Sequence, residues 1–280
     1  MEQDATADGD VQNIEKGGAA MTGLTTAVPI FPDLVGKIAL VTGSSRGIGA
    51  ETARYLAVNK VKVVVNGRDR GALNDVVASI KSDGGEVIGI IADCTKYDEI
   101  EEMRRNVEDR FGNVDLLVAF AGGDGNPEPI EDLTEQRWDA VVATNLKSKF
   151  LTVKSFLPGM KKQGAGSIIL MCSSAGRTAS QASLAYSSSQ AGVAMLSKNL
   201  AQQLGKFGIR VNAIAPSTIR NEKIQKFMTK EQQEKLAAMY PISRLGEPRD
   251  IAAATLFLCS ECSSWITGVT LDISGGKVMP

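Results

Sequence analysis

The chain has 280 residues, 43% of them hydrophobic, and a formal net charge of −1 at pH 7. That size and apolar content predict one globular domain with a full core rather than a disordered chain. There is no basic block, no run of about 18 apolar residues and no basic-then-apolar leader, so the sequence reads as a cytoplasmic protein that binds neither nucleic acid nor membrane.

The chain contains no histidine. Ser-His-Asp and Cys-His catalysis are therefore excluded, and proton transfer must use Tyr, Lys, Asp, Glu, Ser or Cys. Four cysteines occur, Cys94, Cys172, Cys259 and Cys262. The C-x-x-C of the last two has no second pair to complete a metal site and reads as a helix end.

Residues 1–33 are rich in Gly, Ala, Thr and acidic residues without periodicity, and read as a disordered tail. Residues 34–280 read as one domain. An apolar run over 38–42 predicts a buried strand, and the turn Gly43-Ser44-Ser45-Arg46-Gly47-Ile48-Gly49 follows. An amphipathic stretch over 50–58 then predicts a helix. Gly43 permits a sharp turn, Gly47 lets a pyrophosphate approach the backbone, and Gly49 lets helix pack on strand. The helix N-terminus offers free N–H groups to the anion.

Beyond this cradle the pattern alternates. Strands are expected over 61–66, 86–92, 115–119, 167–172, 209–215 and 270–273. Helices are expected over 72–82, 96–111, 134–162, 185–207 and 248–259, with a polar helical insertion at 221–240. Repeated βα units with apolar strands imply an α/β fold, a doubly wound parallel sheet with helices on both faces.

The loop after the second strand suggests which dinucleotide would fit. An acidic residue there would hold both ribose hydroxyls of NAD. The chain instead has Asn66-Gly67-Arg68. Arg46 and Arg68 are candidates to pair with a 2′-phosphate, which favours NADP(H) over NAD(H). Arg68 also reads as a solvated surface charge, and Asp69 lies close by. Asp93, after the third strand, either accepts from the adenine amino group or caps the next helix.

Taken together, the chain from Gly36 onward resembles the short-chain dehydrogenase/reductase family. The resemblance rests on Thr42-Gly43 with Gly47-Ile48-Gly49, Asp93, Ala121-Gly122, Asn145, Ser173, Tyr186, Pro216, Ile266-Thr267-Gly268 and Gly275-Gly276. It implies a Rossmann-like sheet of seven parallel strands, a nicotinamide cofactor, and a homo-oligomer, either tetramer or dimer. It also implies a role for each matching residue. Ser173, rather than its neighbour Ser174, would donate to the substrate carbonyl, and Tyr186 would supply the proton. Asn145 would hold a water at a backbone carbonyl and relay protons from bulk. Ser45, Cys94, Ala121, Gly122, Pro216, Ile219 and Asn221 join the glycines, Arg46, Arg68 and Asp93 as cofactor contacts.

One position departs sharply. A lysine is expected four residues after the tyrosine, one turn along the same helix face, and here that residue is Gln190. An amide can bond ribose hydroxyls but supplies no charge to lower a phenol from about 10. Three readings remain open: a natural variant, an engineered mutant, or a chain without redox turnover. Smaller departures are Ala119-Phe120-Ala121-Gly122, Pro216-Ser217, and Asn221 in place of a threonine.

The insertion at 221–240 falls where a substrate lid would lie. Its apolar residues, among them Ile224, Phe227, Leu236 and Tyr240, line an inner face over the substrate, or pack on the core or on a neighbouring subunit. Asp124 is a candidate substrate contact. Two functions follow: an NADP(H)-dependent oxidoreductase acting on a carbonyl or secondary alcohol, or a binding scaffold or non-redox enzyme on the same fold.

Overall fold

Alternation along the strands sets the layers. In β1 (Ile38–Thr42), Ala39 and Val41 join one apolar cluster while Leu40 joins the other. The computed structural model describes residues 28–279. Seven parallel strands are ordered β3-β2-β1-β4-β5-β6-β7. The others are β2 (Lys62–Gly67), β3 (Val87–Ile91), β4 (Leu116–Ala119), β5 (Gly166–Met171), β6 (Ile209–Pro216) and β7 (Thr270–Ile273). The order reverses between β1 and β4, and ligands of open parallel sheets settle at the carboxyl ends beside such a switch.

Three helices cover one face: α1 (Gly47–Val58), α2 (Arg70–Ser82) and α9 (Pro248–Cys259). On the other face lie α3 (Tyr97–Arg110), α5 (Ser148–Gln163) and α6 (Leu184–Leu204). Leu56, Ile80 and Leu256 fill the first layer, and Ile100, Phe156 and Val193 the second. Each such burial contributes roughly 1.5–3 kcal/mol. The remaining helices, α4 (Glu135–Val142), α7 (Glu222–Phe227) and α8 (Lys230–Ala237), sit in connections near the carboxyl edge.

Helix starts follow local chemistry. Asp69 Oδ1 accepts from the Ala72 amide at the start of α2, and Thr134 and Ser183 cap α4 and α6 in the same way. At α9, Pro248 takes the first position, and Glu247 and Asp250 form a capping box. The expected helix over 134–162 is not continuous. Residues Ala143–Lys147 form a π-helical turn between α4 and α5, in which the Ser148 amide reaches back to Ala143. A one-residue widening of this kind is invisible to a 3.6-residue pattern.

Residues 1–27 of the expected tail lie outside the described residues. The last part of that expected tail is attached to the body, which corrects its boundary. Buried Asn59, at the end of α1, accepts from the Phe31 amide at 2.7 Å and donates to the Pro29 carbonyl at 3.0 Å. Asp33 accepts from the Glu261 amide at 2.9 Å. Asn59→Ala should lower unfolding stability by about 1–3 kcal/mol and speed proteolytic cleavage near Pro29. Urea unfolding and limited proteolysis would check this.

Candidate active site

At the end of β1 the chain enters the glycine turn. Gly43 has φ +66°, and a Cβ there would lie 2.8 Å from the Ala121 backbone. A Cβ on Gly49 would run into the Gly43 carbonyl. Gly47 has φ +55° and open space beyond it. The turn is pinned from behind: the Ser44 hydroxyl donates to Val41 O at 2.6 Å and accepts from the Asn66 amide at 2.9 Å. No side chain caps α1 and no acid stands in its first turn, so the helix presents its amides outward.

Every catalytic and cofactor residue nominated above lines one of two adjoining cavities at this edge. The larger, about 720 Å³, runs from the glycine turn past Ser173, Tyr186 and Gln190 to Asn221 and Lys277. The smaller, about 250 Å³, lies between Ser45, Arg68, Asp93 and Cys94. Gly43, Arg46 and Gly122 border both.

In the smaller cavity both arginines face acids. Arg46 pairs with Asp69, and Arg68 Nη1 lies 3.9 Å from Asp93. The Ala72 amide and the Arg46 guanidinium hold the Asp69 carboxyl below its usual range. Asp93 is lowered too: burial opposes ionisation, but the Thr95 amide and hydroxyl and the Arg68 charge outweigh it. Asp93 Oδ1 bonds Thr95 at 2.9 Å and 2.8 Å, so one of its oxygens is committed to the turn. Asn66 is structural. Its amide donates to Ile90 O and Ala92 O and accepts from the Cys94 thiol, which burial pushes up to about 12.

In the larger cavity, β5 delivers Ser173 and α6 delivers Tyr186 and Gln190. The Ser173 hydroxyl and the Gln190 side chain are both polar neighbours of the Tyr186 phenol. Burial raises the Tyr186 pKa above its usual value, and those two neighbours only partly offset it. Gly125 lies over the Tyr186 ring; a Cβ there would be 3.0 Å from Cδ1. Gln190 is buried, its Nε2 donates to Asn145 Oδ1 at 3.2 Å, and its Oε1 has no partner.

Asn145 occupies the π turn, and its side-chain amide is fully engaged. Oδ1 also accepts from the Gly123 amide at 2.9 Å, while Nδ2 donates to the Gly123 and Val141 carbonyls. Its main-chain carbonyl accepts from the Lys149 ammonium at 2.8 Å. The sequence carries one signal for Lys149, its place four residues after Asn145 on the same helix path, but spacing alone does not show that a lysine is buried.

Three further positions that the sequence singles out are placed as follows. Asp124 turns away to Arg137 and Asn126 and does not line the cavity. Asn221 lines the larger cavity, and its side chain also caps α7 through the Ile224 amide and bonds Ile219 O. The insertion at 221–240 is largely open: Phe227 is 73% and Met239 63% exposed, and Tyr240 alone among the apolar residues expected there is buried. Tyr240 holds the loop after β6 through Ser217 Oγ at 3.0 Å, and Lys277 stacks on its ring.

Among the described residues, no group of three or more His, Cys, Asp or Glu is placed to hold a metal, and no helix is long and apolar enough to cross a membrane. All four cysteines are free.

Residues 43–277 match a family model described as enoyl-(acyl carrier protein) reductase. Among curated proteins, the chain is 37% identical over 245 residues to the 7alpha-hydroxysteroid dehydrogenase of Escherichia coli (strain K12), covering 88% of this chain and 95% of that protein. It is 37% identical over 244 residues to a 3-oxoacyl-(acyl-carrier-protein) reductase of Staphylococcus epidermidis, covering 87% and 99%. The crystal structure of a protein named gox2181 superposes with a TM-score of 0.84 at 29% identity, covering 88% of this chain and 98% of the other.

The β5–α6 connection depends on Gly176, where a Cβ would lie 2.5 Å from the Ala191 amide nitrogen and from Gln190 C. Gly176→Ala should therefore lower stability by about 1–3 kcal/mol, read as an earlier urea midpoint.

Proposed function

Because the chain belongs to the short-chain dehydrogenase/reductase family, whose curated relatives named above are oxidoreductases, we propose that it is an NADP(H)-dependent enzyme that reduces the carbonyl of a small to medium organic substrate, or oxidises the corresponding secondary alcohol. The observation that carries this reading is the convergence of the Ser173 hydroxyl and the Gln190 side chain on the Tyr186 phenol beside a glycine cradle.

The residues present fit a nicotinamide dinucleotide. Gly43 and Gly49 leave the space that a Cβ would fill, α1 is uncapped, and the buried Gln190 Oε1 lacks a donor that a ribose hydroxyl would supply. The glycine turn and the α1 amides would hold the pyrophosphate. Arg46 and Arg68 would hold a 2′-phosphate, releasing part of their hold on Asp69 and Asp93. Asn145, Tyr186, Gln190, Pro216 and Ile219 border the nicotinamide end. When bound, the cofactor supplies or accepts a hydride.

The chain's own residues do the acid–base work. Ser173 donates a hydrogen bond to the substrate oxygen, where negative charge grows. Tyr186 gives that oxygen a proton. A phenol held above its usual pKa is protonated throughout the neutral range, so it is ready as an acid and scarce as a base. This favours reduction near pH 7, with oxidation rising toward alkaline pH.

The cavity accepts an uncharged or anionic substrate: Arg46, Lys149, Arg220 and Lys277 border it and no carboxylate does. We also read the chain as a cytoplasmic homo-oligomer, supported by exposed Phe150 on α5 and Met195 on α6.

Titration with NADPH and NADH, read by nicotinamide fluorescence, tests the cofactor. NADPH should bind at least tenfold tighter, and Arg46→Ala should remove most of that margin; equal affinities would refute the NADP assignment. With a carbonyl panel, Tyr186→Phe should cut turnover by about 10²–10⁴. Turnover that survives Tyr186→Phe, or NADPH binding with no turnover at all, would favour the scaffold or non-redox reading that the missing lysine leaves standing.

A further inference from the structure

Lys149 is a buried charge. It lies on α5, is 1% exposed, and donates from Nζ to Ala121 O at 2.9 Å and Asn145 O at 2.8 Å. Its buried neighbours on that helix are uncharged, among them Leu151, Thr152, Val153 and Phe156. No carboxylate among the described residues is paired with it. Its electrostatic neighbours are two thiols, Cys172 after β5 and Cys94 after β3, both kept protonated by burial. An ammonium taken out of water beside neutral acceptors costs stability that an apolar side chain would not.

Its place explains the cost. Lys149 borders the same cavity as Tyr186, Ser173 and Gln190. Beside it Gly122 carries no side chain; a Cβ there would stand 3.4 Å from Nζ. Two of its three N–H bonds go to carbonyls, which leaves the third for the cavity. Lys149 and Gln190 both meet Asn145, one at the main-chain carbonyl and the other at the side-chain oxygen. The positive charge absent from position 190 is thus present one helix away.

We propose that Lys149 is the proton reservoir of this site, a positioning residue that restores the Tyr186 phenol after each reduction. This rests on the oxidoreductase reading above. In the step, the carbonyl π bond breaks as hydride from the reduced nicotinamide forms the new C–H bond. The alkoxide oxygen takes the Tyr186 proton. The tyrosinate takes a proton from Lys149 through cavity water, and the neutral amine is recharged from bulk. Desolvation brings the Lys149 pKa down to about 8, below that of the buried phenol, so transfer from ammonium to tyrosinate runs downhill. Below pH 8 the amine is charged and the reservoir is full; above it the reservoir is empty for reduction and open for oxidation.

The test uses the full chain with NADPH and a carbonyl substrate found in the panel, together with ¹⁵N-lysine NMR of the cofactor-free protein. In the native protein one lysine should titrate near pH 8, and kcat for reduction should fall through the same pH. In Lys149→Met that resonance disappears, kcat at pH 7 drops at least about tenfold, KM changes less than twofold, and the alkaline limb moves to higher pH. Lys149→Arg keeps the charge but cannot release a proton, and should show the same moved limb. Gln190→Lys added to Lys149→Met should recover turnover. A Lys149→Met protein with native kcat and an unmoved limb, changed only in melting temperature, overturns the proposal. Native protein that binds no NADPH overturns the reading beneath it instead.

Discussion

The Asn145 amide is the point on which the site depends. Four segments meet there: the loop after β4 through Gly123, the end of α4 through Val141, α6 through Gln190, and α5 through Lys149 on the same residue's carbonyl. The Asn145 carbonyl, within the π turn, accepts the Lys149 ammonium. Because each polar atom of the side chain is satisfied, the knot is rigid rather than costly. Tyr186 is thereby fixed between Ser173, Gln190 and the loop that carries Gly125.

Around that knot, polar groups are either fully engaged or conspicuously unfinished. Asn66, Asn59 and Arg210 bond several backbone groups each and serve the fold. Gln190 Oε1 and the uncapped start of α1 are unfinished, and both open on the larger cavity. An unsatisfied buried group costs stability, so Gln190 Oε1 marks where a ligand would complete the structure; Thr270 Oγ1, the other such atom among the described residues, lines neither cavity. The cations on that edge follow the same logic, with Arg46 and Arg68 held in place by acids strong enough to orient them and exposed enough to share them.

Much of this was legible in the sequence because backbone demands write themselves into residue choice. Gly43 and Gly49 announced a turn that leaves no room for a Cβ, and apolar runs such as 38–42 announced strands buried on both faces. Position 190 announced its own departure. What pattern reading missed were features set by tertiary context. A π turn changes register by one residue inside an otherwise helical stretch. Asp124 drew attention as a loop acid, but Arg137 claims it. The apolar residues at 221–240 suggested a packed inner face, yet α7 and α8 are too short to bury one. Lys149 escaped because a lysine among Leu, Val and Phe reads as a surface residue until burial is known.

The central physical claim is that glutamine at position 190 leaves the Tyr186 phenol in its acid form, with the compensating ammonium standing on Asn145. Ultraviolet titration of tyrosinate, taken as the difference between the native protein and Tyr186→Phe, measures that phenol alone. The account predicts a midpoint above the usual value of about 10, falling in Gln190→Lys. A midpoint near neutral in the native protein would contradict it.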